Sequence, residues 1–335
     1  MKIAYALLAF MFLSVPAFAQ RREENIVKKE VIETDSRIDL AKYEKTKDGL
    51  PVCGATYDTA YALVGDLYFP PFSWLLTEQI DDQKKYTLQG IGVDYFNHIL
   101  NRTFKKAYSF NNIIVDSNEK IMRSMIKGSA DIYVDAFYDP NPGRGMEYIY
   151  PSYLTLHMIT ITRKRDEKTK IETVDDLKKY KGIVSKNENT DWIFQAIGID
   201  IEKNDQIKTI EPSENMFKDM FTMLMSGEAD YILTNIYSAR AEMRRYKTHN
   251  SLQINEKNIL KVNRMFFAVS KMSPSCRTFV KNLENTINQD LEEDFLRDIV
   301  NNNIKKYGEQ YKSEPKLTVP LKPNEEKDVQ PSENK

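Results

Sequence analysis

One helix-to-strand unit occurs twice in the sequence, and this repeat constrains the fold more than any other feature. The first copy covers residues 124–134 and the second covers residues 224–233. In each copy a glycine, Gly128 or Gly227, ends a helical pattern, an Ala-Asp pair follows, and an apolar run begins. Glycine accepts the left-handed conformation that closes a helix, and the β-branched or aromatic residues behind it favour a strand. The repeat therefore predicts a chain of α/β class with two similar units.

The beginning of the chain has the parts of a cleavable secretory signal. Lys2 gives a basic start, an apolar run covers residues 4–15, and Ala17 and Ala19 form a small-residue cleavage pattern. The apolar run is shorter than the roughly 20 residues that a membrane span needs. We therefore expect residues 1–19 to be a signal peptide and the chain to be exported to the periplasm as a soluble protein.

Charge and composition argue against several functional classes. The formal net charge is −1, which does not suit a nucleic-acid binder. The three histidines, His98, His157 and His249, are scattered without metal-ligand spacing, and no pair of carboxylates stands out as a catalytic acid and base. The sequence therefore predicts neither a metal site nor a cofactor.

The two cysteines of the chain, Cys53 and Cys276, leave two alternatives open. Two cysteines are too few for a structural zinc site. In an oxidising compartment they form one disulfide or remain as two unpaired buried thiols.

Local patterns divide the chain into a folded body and two polar extensions. Residues 20–51 form a charged N-terminal arm, and residues 312–335 alternate Pro, Lys, Glu and Ser and are predicted to be a disordered tail. Between them, strands alternate with helices in two blocks, and Asp94 is predicted to be the N-cap of the first of these helices, residues 95–104. This alternation favours two α/β domains with sheets covered on both faces.

Seven short motifs follow one another along the folded body. They are Phe69-Pro-Pro-Phe72, Gly90-Ile-Gly-Val-Asp94, Ile126-Lys-Gly-Ser-Ala-Asp131, Arg144 with Tyr148-Ile-Tyr-Pro-Ser-Tyr153, Val174-Asp-Asp-Leu177, Met225-Ser-Gly-Glu-Ala-Asp230 and Phe267-Ala-Val-Ser-Lys271. Each motif is loose alone, but in this order they resemble the type 2 periplasmic solute-binding proteins of the polar amino-acid branch. The resemblance covers about residues 58–310 of the chain.

This resemblance implies a two-lobed periplasmic-binding-protein-like fold of type II, with two covered sheets joined by a two-strand hinge. Lobe 1 would comprise residues 52–158 plus 272–311, and lobe 2 would comprise residues 159–271. The family further implies a monomer that carries a small solute to an inner-membrane ABC permease. Both cysteines fall in lobe 1, which favours a bridge between Cys53 and Cys276.

The resemblance also implies ligand-binding residues in lobe 1. Arg144 matches the arginine with which family members hold a ligand carboxylate, and a planar guanidinium suits that task because it forms two parallel charge-assisted hydrogen bonds. Phe69 matches the family's aromatic wall beside the ligand, and Trp74 is expected to extend that wall.

The chain departs from the family pattern at several of the expected ligand positions. Phe137 and Asp139 stand where small hydroxyl residues usually precede the arginine. Asn235 stands where amino-acid binders usually place an aspartate for the ligand ammonium, so the expected negative charge is missing there. The candidates to supply that negative charge are Asp139 and Asp191. Thr190 ends a segment that only loosely resembles the family's Gly-Thr-Thr turn.

These residues predict capture of a small carboxylate-bearing solute, an amino acid or a related organic acid, by hinge closure. Two alternatives stay open. One is a secreted enzyme on the same fold, of dehydratase type, and the other is an accessory or sensor protein without a ligand. The same fold serves importers, receptors and a few enzymes, so the fold alone does not decide among them.

The inferred bridge predicts the result of a thiol titration. If Cys53 and Cys276 are bonded, the denatured and unreduced protein will show no free thiols, because both cysteines of the chain are used. The titration should find two thiols per chain only after reduction. Two thiols before reduction would contradict the bridge.

Overall fold

The computed structural model describes residues 61–80, 83–105, 110–139, 145–164, 166, 168–273, 277–292 and 294–318. The predicted signal peptide and charged arm, Arg144, Cys53 and Cys276 lie outside these residues. Twelve strands carry the fold: Tyr61–Val64 (β1), Tyr68–Phe69 (β2), Ser73–Ile80 (β3), Gln83–Gln89 (β4), Phe110–Ile113 (β5), Ile132–Phe137 (β6), Met146–Arg163 (β7), Gly182–Ser185 (β8), Ile207–Ile210 (β9), Tyr231–Asn235 (β10), Leu252–Ile254 (β11) and Lys261–Ser270 (β12).

Helices alternate with these strands along the chain, and among the described residues none is long and apolar enough to cross a membrane. Short 3₁₀ turns cover Val174–Lys179, Lys186–Glu188 and Ile201–Lys203. The α-helices are Ile91–Phe104 (α1), Asn118–Lys127 (α2), Asp191–Gln195 (α3), Met216–Met225 (α4), Ile236–Arg245 (α5), Arg277–Glu292 (α6) and Leu296–Gln310 (α7).

The strands of both lobes belong to one hydrogen-bonded order, β5-β1-β6-β12-β7-β10-β8-β9, with β11 paired to β7. The long strand β7 pairs with β12 along its first part and with β10 and β11 along its last part. The resemblance assigns the hinge to segments near residues 158–162 and 266–270, so the expected hinge strands are β7 and β12. Strand β7 pairs with β12 and then with β10 of lobe 2. A separate antiparallel sheet contains β2, β3 and β4, and the sequence patterns did not indicate its β3–β4 hairpin.

The repeated unit has the predicted structure in both lobes. Helix α2 ends at Gly128 with φ +71°, and Gly227 follows helix α4 with φ +77°. In lobe 1 the Asp131 carboxylate accepts a hydrogen bond from Ala62 N on the neighbouring strand, at 2.8 Å. In lobe 2 the Asp230 carboxylate accepts one from Lys181 N, at 3.0 Å. In each copy the aspartate therefore ties the strand that follows it in sequence to the neighbouring parallel strand.

A second lobe-to-lobe contact lies where α5 of lobe 2 packs against α7 of lobe 1. Trp74 and Tyr307 from lobe 1 form a small buried cluster with Ala241 from lobe 2. The buried Arg245 guanidinium forms a two-point ion pair with Glu314, at 3.0 and 3.1 Å, and lies 3.7 Å from the centre of the Tyr311 ring. An extensive polar and aromatic contact therefore joins the two lobes beside the hinge strands.

The first part of the segment predicted as a disordered tail instead packs on lobe 2. Leu317 N donates to Tyr246 O at 3.1 Å. Lys247 Nζ donates to the carbonyl oxygens of Lys312 and Glu314, at 3.1 and 2.6 Å. Residues 312–318 therefore continue from α7 of lobe 1 across to the second lobe.

The ion pair in this contact predicts a difference between two glutamates near the end of the described chain. Glu314→Ala removes the two-point ion pair of the buried Arg245 and leaves it, among the described residues, only the Glu214 carboxylate within ion-pair distance, at 3.9 Å, so we expect the free energy of unfolding to fall by about 1 to 3 kcal/mol. Glu309→Ala removes an exposed carboxylate 3.8 Å from Lys305 Nζ and should change stability by less than about 0.5 kcal/mol. Urea unfolding of both variants measures the difference, and equal losses would contradict a structural role for the buried pair.

Candidate functional site

A cavity of about 1120 Å³ lies between the two lobes. Its lining comes from the strand ends of lobe 1, from both hinge strands, and from the turn and helix that follow β8 in lobe 2. The lining residues are Asp66, Asn118, Met122, Tyr133, Phe137, Tyr138, Asp139, Met146, Tyr148, Tyr150, Pro151, Ser152, Lys186, Asn187, Asn189, Asp191, Trp192, Val262, Asn263, Arg264 and Phe266. The cavity therefore has the position expected for a ligand cleft in a two-lobed α/β protein.

Aromatic rings form one wall of this cavity. Tyr138, Tyr148, Tyr150 and Phe266 lie with ring centres 5.3 to 6.4 Å apart. The Tyr148 hydroxyl donates to Phe137 O and accepts from Asp139 N, so its ring is held in place. Tyr138 and Tyr150 are each 48% exposed, which leaves aromatic surface for a ligand.

Asp66 connects the two lobes across the cavity. It follows β1, its Oδ1 accepts from Tyr68 N at 2.9 Å, and its Oδ2 accepts from Asn187 Nδ2 of lobe 2 at 3.0 Å. Asn187 Nδ2 also lies 3.2 Å from Tyr68 O. Burial raises the pKa of Asp66 above its ordinary value, although these hydrogen bonds act in the opposite direction. The group is an acidic contact that closes one end of the cleft.

A second carboxylate, Asp135, lies directly beneath Asp66. Its Oδ2 accepts hydrogen bonds from Asp66 N at 3.2 Å and from the hydroxyl of Ser73. Its Oδ1 has no hydrogen-bond partner among the described residues. Burial, followed by the nearby charge of Asp66, raises the pKa of Asp135 to about 8. Two adjacent acids therefore lie at the floor of the cleft, and a negative charge on one disfavours ionisation of the other.

In lobe 2 a buried glutamate supplies the acid that the sequence pattern lacked at Asn235. Glu188 Oε1 accepts hydrogen bonds from Thr234 Oγ1 at 2.6 Å and from Asn235 Nδ2 at 2.8 Å. Its Oε2 has no partner within the described part of the chain. Burial raises the pKa of Glu188 to about 7, and the hydrogen bonds from Thr234 and Asn235 lower it less than burial raises it.

Asn235 is fully occupied by protein contacts and is not among the residues that line the cavity. Its Oδ1 accepts from the N–H groups of Tyr237 and Ser238 and so caps the start of α5. Its Nδ2 donates to Glu188 and to Ser238 Oγ, and Ser238 Oγ donates across the lobes to Pro70 O at 2.7 Å. Asn235 thus holds the base of the cleft together at the point where the lobes meet.

The other expected ligand residues divide between the cavity and the core. Phe137 and Asp139 line the cavity, as does Asp191. Phe69 is buried in the core of lobe 1, with its ring centre 4.6 Å from that of Phe72 and 5.7 Å from that of Phe137. Phe69 therefore packs behind Phe137, which lines the cavity.

Trp74 and Thr190 also lie behind the cavity surface. Trp74 is buried, donates from Nε1 to Gln310 Oε1 at 2.9 Å, and lines a separate cavity of about 360 Å³ between the lobes. Thr190 is buried just before α3, and its hydroxyl has no partner among the described residues. Arg144 lies outside the described residues, so its role stays a prediction.

The sequence interpretation missed Asp66, Asn187 and Glu188. Asp66 and Asn187 follow strands in positions where α/β proteins place ligand-binding side chains, so that rule could have indicated both. Glu188 carries no local signal, because only the fold brings it to Thr234 and Asn235. The described residues contain no group of three or more His, Cys, Asp or Glu side chains that could hold a metal ion.

The sequence matches no protein-family model and no curated protein. The structure resembles the amino acid ABC transporter substrate-binding protein AbpA from Streptococcus pneumoniae, solved with L-arginine, at 15% identity and a TM-score of 0.54, over 74% of this chain and 95% of that chain. It also resembles the periplasmic VFT2 domain of Bordetella pertussis BvgS, at 18% identity and a TM-score of 0.51, over 72% and 92%. A third similar structure is an ancestral arginine-binding protein bound to arginine, at 15% identity and a TM-score of 0.51, over 72% and 97%.

These likenesses confirm the fold that the sequence motifs indicated. The chain has the two-lobed fold of the amino acid ABC transporter substrate-binding proteins. Two of the compared structures are of binding proteins and one is of a periplasmic domain, and at identities below 20% the likeness is one of architecture.

The raised pKa of Glu188 predicts how one substitution changes stability with pH. The carboxyl titrates near 4.5 when unfolded and near 7 when folded, so its contribution to stability is full below pH 4.5 and is lost as the pH rises to about 7. Glu188→Gln does not titrate and keeps the acceptor for Thr234 and Asn235. Relative to the parent, the variant should therefore gain about 1 to 3 kcal/mol of stability between pH 4.5 and pH 8.

Denaturant unfolding at several pH values measures this change. Glu211→Gln, which alters an exposed glutamate of the same lobe paired with Lys186, is the matched control and should follow the parent at every pH. An identical pH profile for Glu188→Gln and the parent would show that Glu188 is not protonated on folding.

Proposed function

We propose that this protein captures a small charged solute, an amino acid or a related organic acid, between its lobes and delivers it to a membrane partner. The observation that carries this proposal is the cavity lined jointly by lobe 1, both hinge strands and lobe 2. A ligand that contacts both lobes favours the closed arrangement by its higher affinity for that arrangement. Binding would thereby be converted into a change of shape.

Two features support a ligand that carries a carboxylate and a cationic group. Arg144 is the candidate for the carboxylate, from its match to the family's motif. Asp66, at the cavity surface, is the candidate for the cationic group, because a desolvated carboxylate beside a second acid is stabilised by a nearby positive charge. The aromatic wall offers the faces of Tyr138 and Tyr150 to the same ligand, and cations are attracted to such faces.

An amino acid remains the class that best fits these charges, with the ammonium site altered from the family pattern. Asn235 is committed to capping α5 and to Glu188, so it does not face the cavity. The acidic residues that do line the cavity are Asp66, Asp139 and Asp191. We therefore assign recognition of a ligand ammonium or guanidinium to this group. L-arginine, found in the compared binding proteins, has both kinds of charge.

The fold also supports a location and a partner. Substrate-binding proteins of ABC transporters work outside the cytoplasm, and the predicted signal peptide agrees with a periplasmic location. A monomer that presents its closed lobes to an inner-membrane ABC permease is the arrangement that the resemblance implies. Capture without chemical change is favoured over catalysis because the compared structures are binding proteins.

A sensor function is the second candidate, and one observation favours it. Asn187 binds Asp66, Ser238 binds Pro70, and Arg245 binds the Tyr307 hydroxyl, so protein atoms alone join the two lobes at three places. Such contacts stabilise closure without help from a ligand. The chain is also similar in fold to a periplasmic domain of BvgS. In a sensor, a ligand or partner that disturbs these contacts would supply the signal.

Calorimetric titration with L-arginine, other amino acids and organic dicarboxylic acids tests the ligand assignment. We expect Arg144→Ala to weaken every ligand that binds the parent by roughly tenfold to a hundredfold, the effect of losing a charge-assisted hydrogen bond. Asp66→Asn should weaken ligands that carry a cationic group and should spare dicarboxylic acids, because it removes one negative charge without changing the side-chain shape.

Two exposed residues beyond the cleft provide matched controls. Arg297→Ala and Asp298→Asn repeat the same chemical changes on α7 and should leave the affinities unchanged. Tight binding that survives Arg144→Ala would remove the arginine from the site. Absence of binding across the whole set of ligands would favour the sensor or accessory function.

A further inference from the structure

A second concavity, of about 800 Å³, lies between α5 of lobe 2 and α7 of lobe 1. We call it the basic groove, because every titratable side chain in its lining is a base. These side chains are Arg240, Arg244, Lys247, His249 and Lys305. The groove shares no residue with the cleft cavity, and the proposed solute binding makes no use of it.

The positive charge of the basic groove is only partly neutralised by the protein. Among the described residues no carboxylate pairs with Arg244, and Lys247 Nζ binds backbone carbonyl oxygens, which carry no net charge. Arg240 is paired with Glu256, and Lys305 lies 3.8 Å from the exposed Glu309. Partial burial lowers the pKa of His249, and the nearby charges of Arg244 and Lys164 lower it further. The groove therefore favours an anionic partner.

The two walls of the basic groove belong to different lobes. Arg244 and Lys247 lie on or just after α5 of lobe 2, whereas Lys305 lies on α7 of lobe 1. The walls touch where Gly308 meets the Arg244 side chain, since a Cβ on Gly308 would lie 2.9 Å from Arg244 Cδ. A partner that contacts Arg244 and Lys305 together would thus bind the closed arrangement of the lobes.

We propose that the basic groove docks an acidic, extended segment of a protein partner. Charge complementarity selects acidic side chains and increases the rate of association. Asn250, Asn301 and Asn302 are exposed in the groove, and their amides can pair with the backbone of an extended peptide. The lining contains no Phe, Tyr or Trp for membrane insertion or base stacking, and a concave shape between two helices does not fit a flat membrane surface.

Fluorescence anisotropy with a fluorescein-labelled decaglutamate peptide tests this proposal directly. The full chain should bind the peptide at about 50 mM salt and release it at about 300 mM salt, because exposed charges are screened. Arg244→Glu/Lys305→Glu should weaken binding by about tenfold or more. Each single variant should weaken it in part, since the two residues lie on opposite walls. Arg244→Gln/Lys305→Gln, which keeps the side-chain length, should give a smaller loss in the same direction.

Lys84→Glu/Lys85→Glu is the matched control, because it makes the same change of charge on exposed residues of the β3–β4 hairpin. Equal peptide binding by the groove variant and this control would overturn the proposal. A loss confined to one of the two single variants would also overturn it, because the peptide would then contact only one of the two lobes. Vesicles containing phosphatidylglycerol provide a last comparison, and groove-dependent binding to vesicles without binding to the peptide would overturn the protein partner.

Discussion

The pairing of β7 with β12 is the constraint on which the rest of the structure depends. Strand β7 belongs to the sheet of each lobe in turn, and β12 pairs with it along residues 146–158. The register of β12 shifts around Phe266 against both of its neighbours. Such an irregularity bends a strand and re-aims a side chain, and Phe266 lines the cleft. The bend between the lobes and the aromatic wall of the cavity therefore share one residue.

The architecture was largely predictable because its signals are local. A glycine that ends a helix, an aspartate and a β-branched run are adjacent in sequence, and the structure adds the reason for the aspartate. Asp131 and Asp230 each bind the backbone of the neighbouring parallel strand, so each copy of the repeat fixes its own place in a sheet. Strands β6 and β10 were predicted for this reason, whereas the division into two lobes came from the two blocks of strands and helices and from the family motifs.

What the sequence did not indicate depends on long-range contacts. The first helix begins at Ile91, so Asp94 lies in its first turn and is not its N-cap. The helix starts earlier because Ile91 N and Gly92 N donate to Pro71 O and Phe72 O of the preceding aromatic loop. Glu188 reaches Asn235 only because β8 and β10 pair in register. Asn235, which stands where an aspartate was expected, therefore belongs to a buried network with Glu188 and Thr234. No spacing rule predicts this network.

The buried acids also determine how the cleft responds to charge. Asp135 and Glu188 have pKa values near 8 and 7 because burial penalises their charged forms, and burial raises the pKa of Asp66 as well. A cationic ligand placed beside Asp66 would stabilise the charged forms of the acids near it and lower their pKa values. Binding of such a ligand would then release protons near neutral pH, whereas an anionic group placed beside Asp66 would raise the same pKa values. The electrostatics around Asp66 thus favour a cationic group on the ligand, and Asp66 also joins the lobes through Asn187.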